Sequence, residues 1–404
     1  MKNILFYCQN LLGLGHLVRT TEIIRHLSKD FKVCLVQGGT PVQGFQLPSG
    51  VETIHLPAIQ VDPTTLWSEN RIMVADSSLS LDQVKEIRKN MLLKVFDVLQ
   101  PDCLITEGFP FSKKNSLSFE LVPLLERVKT TKPSTKVVCS LRDIFMVKNT
   151  EDRAKKEEER CQFMNQYYDL LLYHSDQKVH RLEESFAKAK EIKCQVVYTG
   201  YVVQSLIENT AFINENISRF SSQKPTILVS VGGGKLGHDL LEAVIEAAAI
   251  LEKYLPHKIQ IFTGPLMPDD KFLQLQNLAA DRTNINIRRF TTQLIAHMEK
   301  ASLSISLGGY NTTMNVLKTG VRSMIYPSNK DREQAIRAEK LEKMGILEVI
   351  RPENLEPAHL AEKIIACLNK EPVKNLCQNL ELQGAQKTAQ VLQNLLELQL
   401  IEAV

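Results

Sequence analysis

The chain has 404 residues, of which 44% are hydrophobic and 24% are charged. This composition is typical of a globular protein, and the length predicts two domains of about 150 to 200 residues each. The formal charge of +3 does not indicate nucleic-acid binding, and no apolar run approaches the roughly 20 residues that cross a bilayer. The eight cysteines have neither CxxC nor Cys/His ligand spacing, so we expect reduced, structural thiols and a cytoplasmic protein.

Short apolar runs alternate with amphipathic stretches through the first half of the chain. The runs predict strands, and stretches such as Asp82–Leu99 and Asp152–Gln166 predict helices. The predicted strands are Asn3–Cys8, Lys32–Gln37, Val51–Leu56, Asp102–Thr106, Lys136–Leu141, Asp169–His174 and Gln195–Tyr198. We interpret this βα alternation as one doubly wound α/β domain over residues 1–204.

The alternation stops at a polar segment and then restarts. The polar run NENISRFSSQKP, which ends at Pro225, predicts a linker over residues 205–224. The strands predicted after it are Thr226–Val231, Lys258–Thr263, Ile285–Phe290, Leu303–Leu307, Arg322–Tyr326 and Glu348–Ile350. Residues 225–372 therefore predict a second doubly wound domain, and residues 373–404 predict one or two closing helices. Because such sheets bind ligands at the carboxyl ends of their strands, two of them predict a site in the cleft between the domains.

A glycine-rich loop follows the first strand of the second domain. In TILVSVGGGKLGHDLLEAVIEAA the strand leads to Gly232, Gly233 and Gly234, and then to a helix that begins near His238. Glycines let the backbone approach an anion, and a helix start presents free N–H groups and a positive dipole end, so a diphosphate fits here. A tight turn between strand and helix would use the same glycines, and one loop does not separate these interpretations.

A second loop repeats this arrangement. In SLSISLGGYNTTMNVLKTG, Gly308 and Gly309 follow a strand. Asn311, Thr312 and Thr313 stand at the start of the next helix, where they supply side-chain donors and caps beside free N–H groups. Two helix starts of this kind in one domain indicate the diphosphate of a nucleotide.

The order of these motifs resembles the donor-binding half of GT-B glycosyltransferases. The likeness runs from about Thr226 to Gly345, and the amino-terminal GLGH resembles the Gly-Gly-His loop of the same enzymes. The chain is most similar to bacterial N-acetylglucosaminyltransferases that make the lipid-linked peptidoglycan precursor and to a related group of predicted bacterial glycosyltransferases. The segments TEGFPF, SLRDI and HSDQKVHRLEESF resemble the related group in particular. The resemblance implies the GT-B fold, in which two Rossmann-like domains face each other across a cleft.

The resemblance also implies where a nucleotide-sugar donor, a UDP-sugar first of all, would bind, and it implies no other cofactor. The implied donor-binding residues are Gly15, Gly232, Gly233, Gly234, Phe290, Thr291, Leu294, Gly308, Gly309, Asn311, Thr312, Thr313, Asn315, Glu333 and Gln334. Phe290, Thr291 and Leu294 would border the base. Gln334, with Glu333, would contact the sugar hydroxyls, because an amide and a carboxylate both hydrogen bond to a polyol. A charged helix start is the alternative for these last two residues.

Asn315 departs from the pattern of the peptidoglycan enzymes, which have a glutamate in this helix that holds the ribose. An amide keeps a hydrogen bond to a ribose hydroxyl but loses the charge-assisted acceptor. The same residue argues against a retaining mechanism that uses paired glutamates in this helix. The chain has no DxD metal motif. We therefore expect an inverting, metal-independent transfer in which backbone amides and helix dipoles stabilise the departing diphosphate.

His16 follows the first strand, in GLGHLVRT. The resemblance implies that it projects into the cleft and takes the proton from an acceptor hydroxyl, since an imidazole titrates near neutral pH. From the residues alone, a histidine that caps its own helix is the alternative. Glu107 and Asp143, at strand ends of the same domain, are candidates to orient or replace His16, with solvated loop acids as the other interpretation. His174 follows a strand and is a further candidate to line the cleft.

The acceptor is expected to bind the first domain. Residues 38–45 and Gln60–Met73 are the candidate loops, and the second carries the single tryptophan, Trp67. Such a loop can contact a sugar, an aromatic aglycone or a lipid, or can be a buried flap. Peripheral contact with an anionic membrane is an alternative that rests on a few basic residues. These are Lys113, Lys114, Lys129 and Lys132.

Three other functions stay open. A sugar-nucleotide epimerase of the same fold would need several carboxylates and basic residues around the sugar, which the sequence does not place. A dinucleotide-dependent oxidoreductase would need GxGxxG with an acid about 20 residues later, whereas GLGHLV has Val18 in place of the third glycine. A non-catalytic nucleotide-sugar binding protein would be favoured if the cleft of the first domain proved blocked.

Overall fold

The structure is a computed structural model that describes residues 1–9, 11, 14–39, 47–62, 71–75, 78–111, 114–145, 152–205, 224–328 and 332–402. Its contacts divide the chain into two units. Unit 1 comprises Met1–Val203 and Glu381–Val404, and unit 2 comprises Gln204–Leu380. The predicted linker lies almost wholly outside the described residues. No helix in these ranges is long and apolar enough to cross a membrane.

The secondary structure follows the alternation that the sequence predicts. The strands are β1 (Asn3–Cys8), β2 (Lys32–Gln37), β3 (Glu52–His55), β4 (Ile59–Val61), β5 (Ile72–Val74), β6 (Cys103–Glu107), β7 (Lys136–Arg142), β8 (Leu170–His174), β9 (Gln195–Tyr198), β10 (Thr226–Ser230), β11 (Lys258–Phe262), β12 (Ile285–Arg288), β13 (Leu303–Leu307), β14 (Ser323–Tyr326) and β15 (Glu348–Val349). The helices are α1 (Leu14–Leu27), α2 (Leu81–Leu99), α3 (Lys114–Thr131), α4 (Arg153–Tyr167), α5 (His238–Leu251), α6 (Asp269–Leu278), α7 (Leu294–Lys300), α8 (Tyr310–Thr319), α9 (Arg332–Lys343), α10 (Pro357–Leu368), α11 (Lys374–Cys377) and α12 (Gly384–Glu402). Every predicted strand is present.

Unit 1 is built on a parallel sheet. Its strand order among the described residues is β3-β2-β1-β6-β7-β8-β9. The central strand β1 reads NILFYC, and its side chains are buried on both faces, as a continuous apolar run in a parallel sheet predicts. Leu5 and Tyr7 face one core, while Ile4 and Phe6 face the other. The strand order reverses direction between β1 and β6, so the crevice at their carboxyl ends is the favoured ligand site of this sheet.

The carboxyl-terminal helix α12 closes unit 1. Its Leu392 and Leu396 share a buried cluster with Ile24 of α1. The segment that leads into α12 is held by two backbone hydrogen bonds to Tyr201, one from its N–H to the carbonyl of Glu381 (2.7 Å) and one to its carbonyl from the N–H of Gly384 (2.9 Å). The chain therefore returns to unit 1 beside the point where it leaves.

One element of unit 1 was not predicted. β4 and β5 form an antiparallel pair in which Gln60 is the partner of Met73. The prediction of a loop over Gln60–Met73 is therefore wrong for its first and last residues, which belong to β4 and β5. These two short strands form backbone hydrogen bonds with each other. Trp67, the centre of the candidate acceptor loop, lies outside the described residues, as do residues 40–45 of the other loop and Lys113.

Unit 2 repeats the plan of unit 1. Its described sheet is parallel, in the order β12-β11-β10-β13-β14-β15. Ile227 and Val229 of β10 pack with α5 and α10 in the core on one face, and Leu228 packs on the other face. The order reverses between β10 and β13. The two glycine-rich loops follow these two strands, so both lie at the carboxyl edge where such a sheet binds ligands.

Candidate active site

A histidine, a glutamate and an arginine meet at the carboxyl ends of β1 and β6. Nδ1 of His16 lies 2.8 Å and 2.9 Å from the two carboxylate oxygens of Glu107. Arg19 donates a hydrogen bond to the same carboxylate. Glu107 ends β6, while His16 and Arg19 are three residues apart on α1 and so share one face of that helix. The side chain of His16 is 23% exposed, whereas that of Glu107 is 1% exposed.

The charges of this cluster set the ionisation state of Glu107. Burial by itself would raise the pKa of Glu107. The nearby charges of His16 and Arg19 lower it by more, so the pKa falls from 4.5 to about 2. Glu107 is therefore ionised at neutral pH. A carboxylate on Nδ1 favours the tautomer with its proton on Nδ1, which leaves Nε2 to accept a proton. The pair can act as an oriented base.

The other two candidates of unit 1 lie elsewhere. Asp143 follows β7, is buried, and has its carboxylate 3.8 Å from Nε of Arg142. Glu107 is the candidate carboxylate for which the structure shows a contact with His16. His174 is fully buried, with Nε2 2.7 Å from Oγ of Ser140 and Nδ1 2.8 Å from Oγ1 of Thr199.

Burial lowers the pKa of His174 to about 3, so this histidine is a neutral interior residue. The expectation that His174 lines the cleft is wrong, because its side chain has no exposed surface and is enclosed by Ser140 and Thr199. Gly15, one residue before His16, is exposed at the start of α1.

The first glycine-rich loop of unit 2 has a backbone that requires glycine. Gly234 has φ of +90°, and a Cβ there would lie 2.6 Å from the carbonyl oxygen of Thr263. Gly232 also has positive φ, of +64°. Gly232 and Gly233 are exposed, and the carbonyl of Gly233 accepts a 2.9 Å hydrogen bond from Leu266 N–H. The turn after β11 thus fixes the position of this loop by a backbone hydrogen bond, and Gly232 and Gly233 stay exposed in the segment before α5.

The second loop presents the start of α8. Gly309 is the residue before the helix, with space around the position of a Cβ. Asn311 and Thr312 lie half-buried in the first turn. Thr313 is buried, and its Oγ1 donates a 3.1 Å hydrogen bond to the carbonyl of Gly309. Thr313 therefore supports the loop from within, while Asn311 and Thr312 are left nearer the surface.

Asn315 lies one turn further into α8 and is buried. Its Nδ2 donates a 2.9 Å hydrogen bond to Oε1 of Gln204, a residue of the segment that enters unit 2. Its Oδ1 is buried and has no hydrogen-bond partner in the described part of the chain. Oδ1 is therefore the atom of this side chain that can accept a hydrogen bond from a ligand.

The start of α9 packs against the second loop. Oε1 of Gln334 accepts a 3.2 Å hydrogen bond from Ser328 N–H, and a Cβ on Gly308 would lie 3.2 Å from Cβ of Gln334. Glu333, in the same turn, is half-buried. Arg337, which the sequence analysis missed, donates a 3.2 Å hydrogen bond to the carbonyl of Gly308 and is buried. The sequence feature that could have indicated Arg337 is its position three residues after Gln334, which places both side chains on one face of a helix.

The turns after β11 and β12 lie next to each other. The N–H of Gly264 donates a 2.8 Å hydrogen bond to the carbonyl of Arg289. Phe290 is 56% exposed, and Oγ1 of Thr291 accepts a hydrogen bond from the backbone just before α7, which begins at Leu294. An exposed aromatic ring and a turn with fixed geometry are suited to stack on and border a nucleotide base.

Comparisons with known proteins agree with this architecture. Residues 226–393 match the glycosyltransferase family 28 C-terminal domain. An uncharacterized glycosyltransferase of Methanopyrus kandleri is 24% identical over 173 residues, which are 42% of this chain and 45% of the relative. The UDP-N-acetylglucosamine–N-acetylmuramyl-(pentapeptide) pyrophosphoryl-undecaprenol N-acetylglucosamine transferase of Rhizobium leguminosarum is 25% identical over 173 residues, 42% of this chain and 46% of the relative.

Solved structures extend the likeness to nearly the whole fold. The MurG protein of Acinetobacter baumannii superposes with a TM-score of 0.60 at 13% identity, covering 98% of this chain and 100% of that one. The calicheamicin glycosyltransferase superposes with a TM-score of 0.63 at 14% identity, covering 98% and 97%. These likenesses confirm the predicted fold class, an α/β protein of the GT-B type.

The fold is that of GT-B glycosyltransferases, and residues 226–393 resemble the C-terminal domain of glycosyltransferase family 28. Within that class it resembles MurG and the related proteins above, as the motifs predicted. The sequence matches span about half the length of the curated relatives.

Proposed function

We propose that the protein transfers a sugar from a nucleotide-diphosphate donor, a UDP-sugar, to an acceptor hydroxyl. The observation that carries the proposal is the His16–Glu107 pair at the switch point of unit 1, in a chain whose residues 226–393 match a glycosyltransferase C-terminal domain. A non-catalytic nucleotide-sugar binding protein would not need a buried carboxylate that orients a partly exposed imidazole.

The donor is assigned to unit 2. The exposed backbone at Gly232 and Gly233 and the open start of α8 at Gly309 suit the two phosphates, because free N–H groups at helix starts attract anions. Phe290 would stack on the base and Gln334 would contact the sugar. The Rhizobium relative is named for UDP-N-acetylglucosamine and for a pyrophosphoryl-undecaprenol acceptor, which supports a UDP-sugar donor and puts a lipid-linked acceptor first among the candidates. The acceptor would bind unit 1, with peripheral membrane contact as part of that proposal.

The reaction is a single displacement. The acceptor oxygen attacks the anomeric carbon, and the bond between that carbon and the diphosphate oxygen breaks, which inverts the configuration. Nε2 of His16 takes the acceptor's proton, and the ionised Glu107 stabilises the imidazolium that forms. The diphosphate leaves with the bonding electrons and its added charge is stabilised by the helix starts.

Metal independence is part of the proposal. It is supported by the missing DxD motif. Two helix starts would supply the positive potential that a divalent cation otherwise provides.

A binding screen tests the donor assignment. Isothermal titration of the full chain with UDP, GDP, dTDP and NAD, with EDTA present, is expected to give the tightest binding for UDP and none for NAD. NAD binding without UDP binding would instead identify an oxidoreductase. Binding of UDP-N-acetylglucosamine followed by interconversion of the sugar, detected by NMR without an acceptor, would identify an epimerase.

A further inference from the structure

We propose that Arg19 is a positioning residue for the base: it holds the Glu107 carboxylate against His16 and limits the charge that this carboxylate exerts on the imidazole. The inference rests on the proposed function, in which His16 removes a proton from the acceptor. Arg19 lies within GLGHLVRT, where the sequence pattern gave it no role, and its guanidinium donates to Glu107.

The geometry ties Arg19 and His16 to one oxygen atom. The Arg19 guanidinium donates to Oε1 of Glu107, and Nδ1 of His16 lies 2.8 Å from the same Oε1. The side chains of Arg19 and Glu107 are 2% and 1% exposed, so water screens their interaction little. Because Arg19 is one turn beyond His16 on α1, its contact also fixes the rotation of that helix over the end of β6.

The charge balance explains why a base would need this arginine. A buried carboxylate alone on Nδ1 stabilises the imidazolium, and an imidazolium cannot accept a proton. An arginine on the same oxygen offsets part of that negative charge and keeps the imidazole available as a base. Glu107 still orients the ring, since its second oxygen lies 2.9 Å from Nδ1.

Two further titratable groups near this pair lie on neighbouring strands. Arg142 of β7 acts on Glu107 through its charge and lies 3.8 Å from Asp143. His174 of β8 is held neutral by burial. Arg19 hydrogen bonds directly to Glu107, and its removal is therefore expected to change the charge felt by His16.

Proton titration of His16 tests this role without any substrate. The ring resonance of His16 is assigned by its loss in His16→Gln, and its titration midpoint is followed by NMR in the full chain. We expect Arg19→Met to raise the midpoint by about one pH unit or more, the size of effect that a contacting charge produces. Arg19→Lys, which keeps the charge, is expected to stay close to the wild type.

Arg25→Met is the matched control. Arg25 is on the same helix but is paired with Glu22 at 3.5 Å, so its removal is expected to leave the His16 midpoint unchanged. Arg19→Gln covers the case in which Arg19→Met does not fold, because an amide can still donate to Glu107 without a charge. A His16 midpoint that stays at the wild-type value in the uncharged variants would overturn the proposal and leave Arg19 a purely structural residue.

The outcome is separable from that of the proposed function. UDP affinity is measured on the same variants, and it is expected to equal that of the wild type because the donor is assigned to unit 2. Wild-type protein that binds UDP, combined with an unshifted His16 midpoint in Arg19→Met, refutes the role of Arg19 alone. Wild-type protein that binds no nucleotide refutes the proposed donor, whatever the midpoint does.

Discussion

The two units share one plan and carry different chemistry. In each, a parallel sheet reverses its strand order between two central strands, β1 and β6 in unit 1, β10 and β13 in unit 2. At that edge unit 1 places ionisable side chains, His16, Arg19 and Glu107, with two of the three buried. Unit 2 places glycine backbone, with Gly233 in the loop before α5 and Gly309 at the start of α8.

This difference shows that the fold supplies a place and the local residues supply the function. Proton transfer needs a side chain whose charge state can change. At the edge of unit 1, a buried ion pair therefore orients the proposed base. Anion binding needs many N–H groups close together, which only a backbone without side chains presents. Substitutions in the two units should therefore affect different measurements.

The largest expected effect is on turnover, from His16. His16→Ala should lower turnover by ~10²–10⁴ and leave UDP affinity unchanged, because a general base acts in the transition state and the donor is assigned to unit 2. Turnover is measured as UDP released from the UDP-sugar with its acceptor. His16→Asn should be as slow, since an amide caps a helix but cannot take a proton. Wild-type turnover in His16→Asn would make this histidine structural and move attention to Glu107 or Asp143.

The next effect concerns stability against pH, from Glu107. Its pKa is lowered from 4.5 to about 2 in the folded protein, so its contribution is fully present above pH 4.5 and is lost as the pH falls toward 2. The size of this linkage is about 3 kcal/mol. The difference in unfolding free energy between the wild type and Glu107→Gln, from urea titrations, should shrink over that pH window. Glu126→Gln, at an exposed position of α3, is the control. A difference between the wild type and Glu107→Gln that stays constant with pH would contradict the assignment.

The third effect is on donor affinity, from Gly309. A Cβ at this position meets nothing within 4 Å, so Gly309→Val should fold normally. Its side chain would occupy the place where a phosphate approaches the start of α8, and UDP affinity measured by calorimetry should fall about tenfold or more. Thermal unfolding checks that the variant is folded. Unchanged UDP affinity in both Gly309→Val and Gly233→Val would remove these loops from the donor site.

The smallest effect is expected from Asn315. If its free Oδ1 accepts a hydrogen bond from the ribose, Asn315→Ala should weaken UDP binding about fivefold, the value of one neutral hydrogen bond. The same variant should bind 2′-deoxy-UDP or 3′-deoxy-UDP, whichever lacks that hydroxyl, as well as the wild type does. Equal losses for UDP and for both deoxy analogues would show that Asn315 supports the fold and not the ribose.

Much of the fold could be predicted because the strands of a parallel sheet have a local sequence pattern. Each is a short apolar run between glycine- or polar-rich turns, as in NILFYC and TILVS, and such runs need no information from distant residues. The strands β4 and β5 were not predicted because they have no such local pattern. Ile59–Val61 and Ile72–Val74 are three residues each, and their strand character comes from pairing with each other across ten intervening residues.

Within the candidate site, the sequence determined the residues that lie next to each other along the chain: the glycines of both loops, and His16 after the first strand. Only the tertiary structure decided which of Glu107 and Asp143 meets His16, that Arg19 shares the Glu107 carboxylate, and that His174 is interior. The physical reason is distance along the chain. A loop's backbone conformation is a local property, whereas a contact between residues 16 and 107 exists only because the order β1-β6 brings two strand ends together.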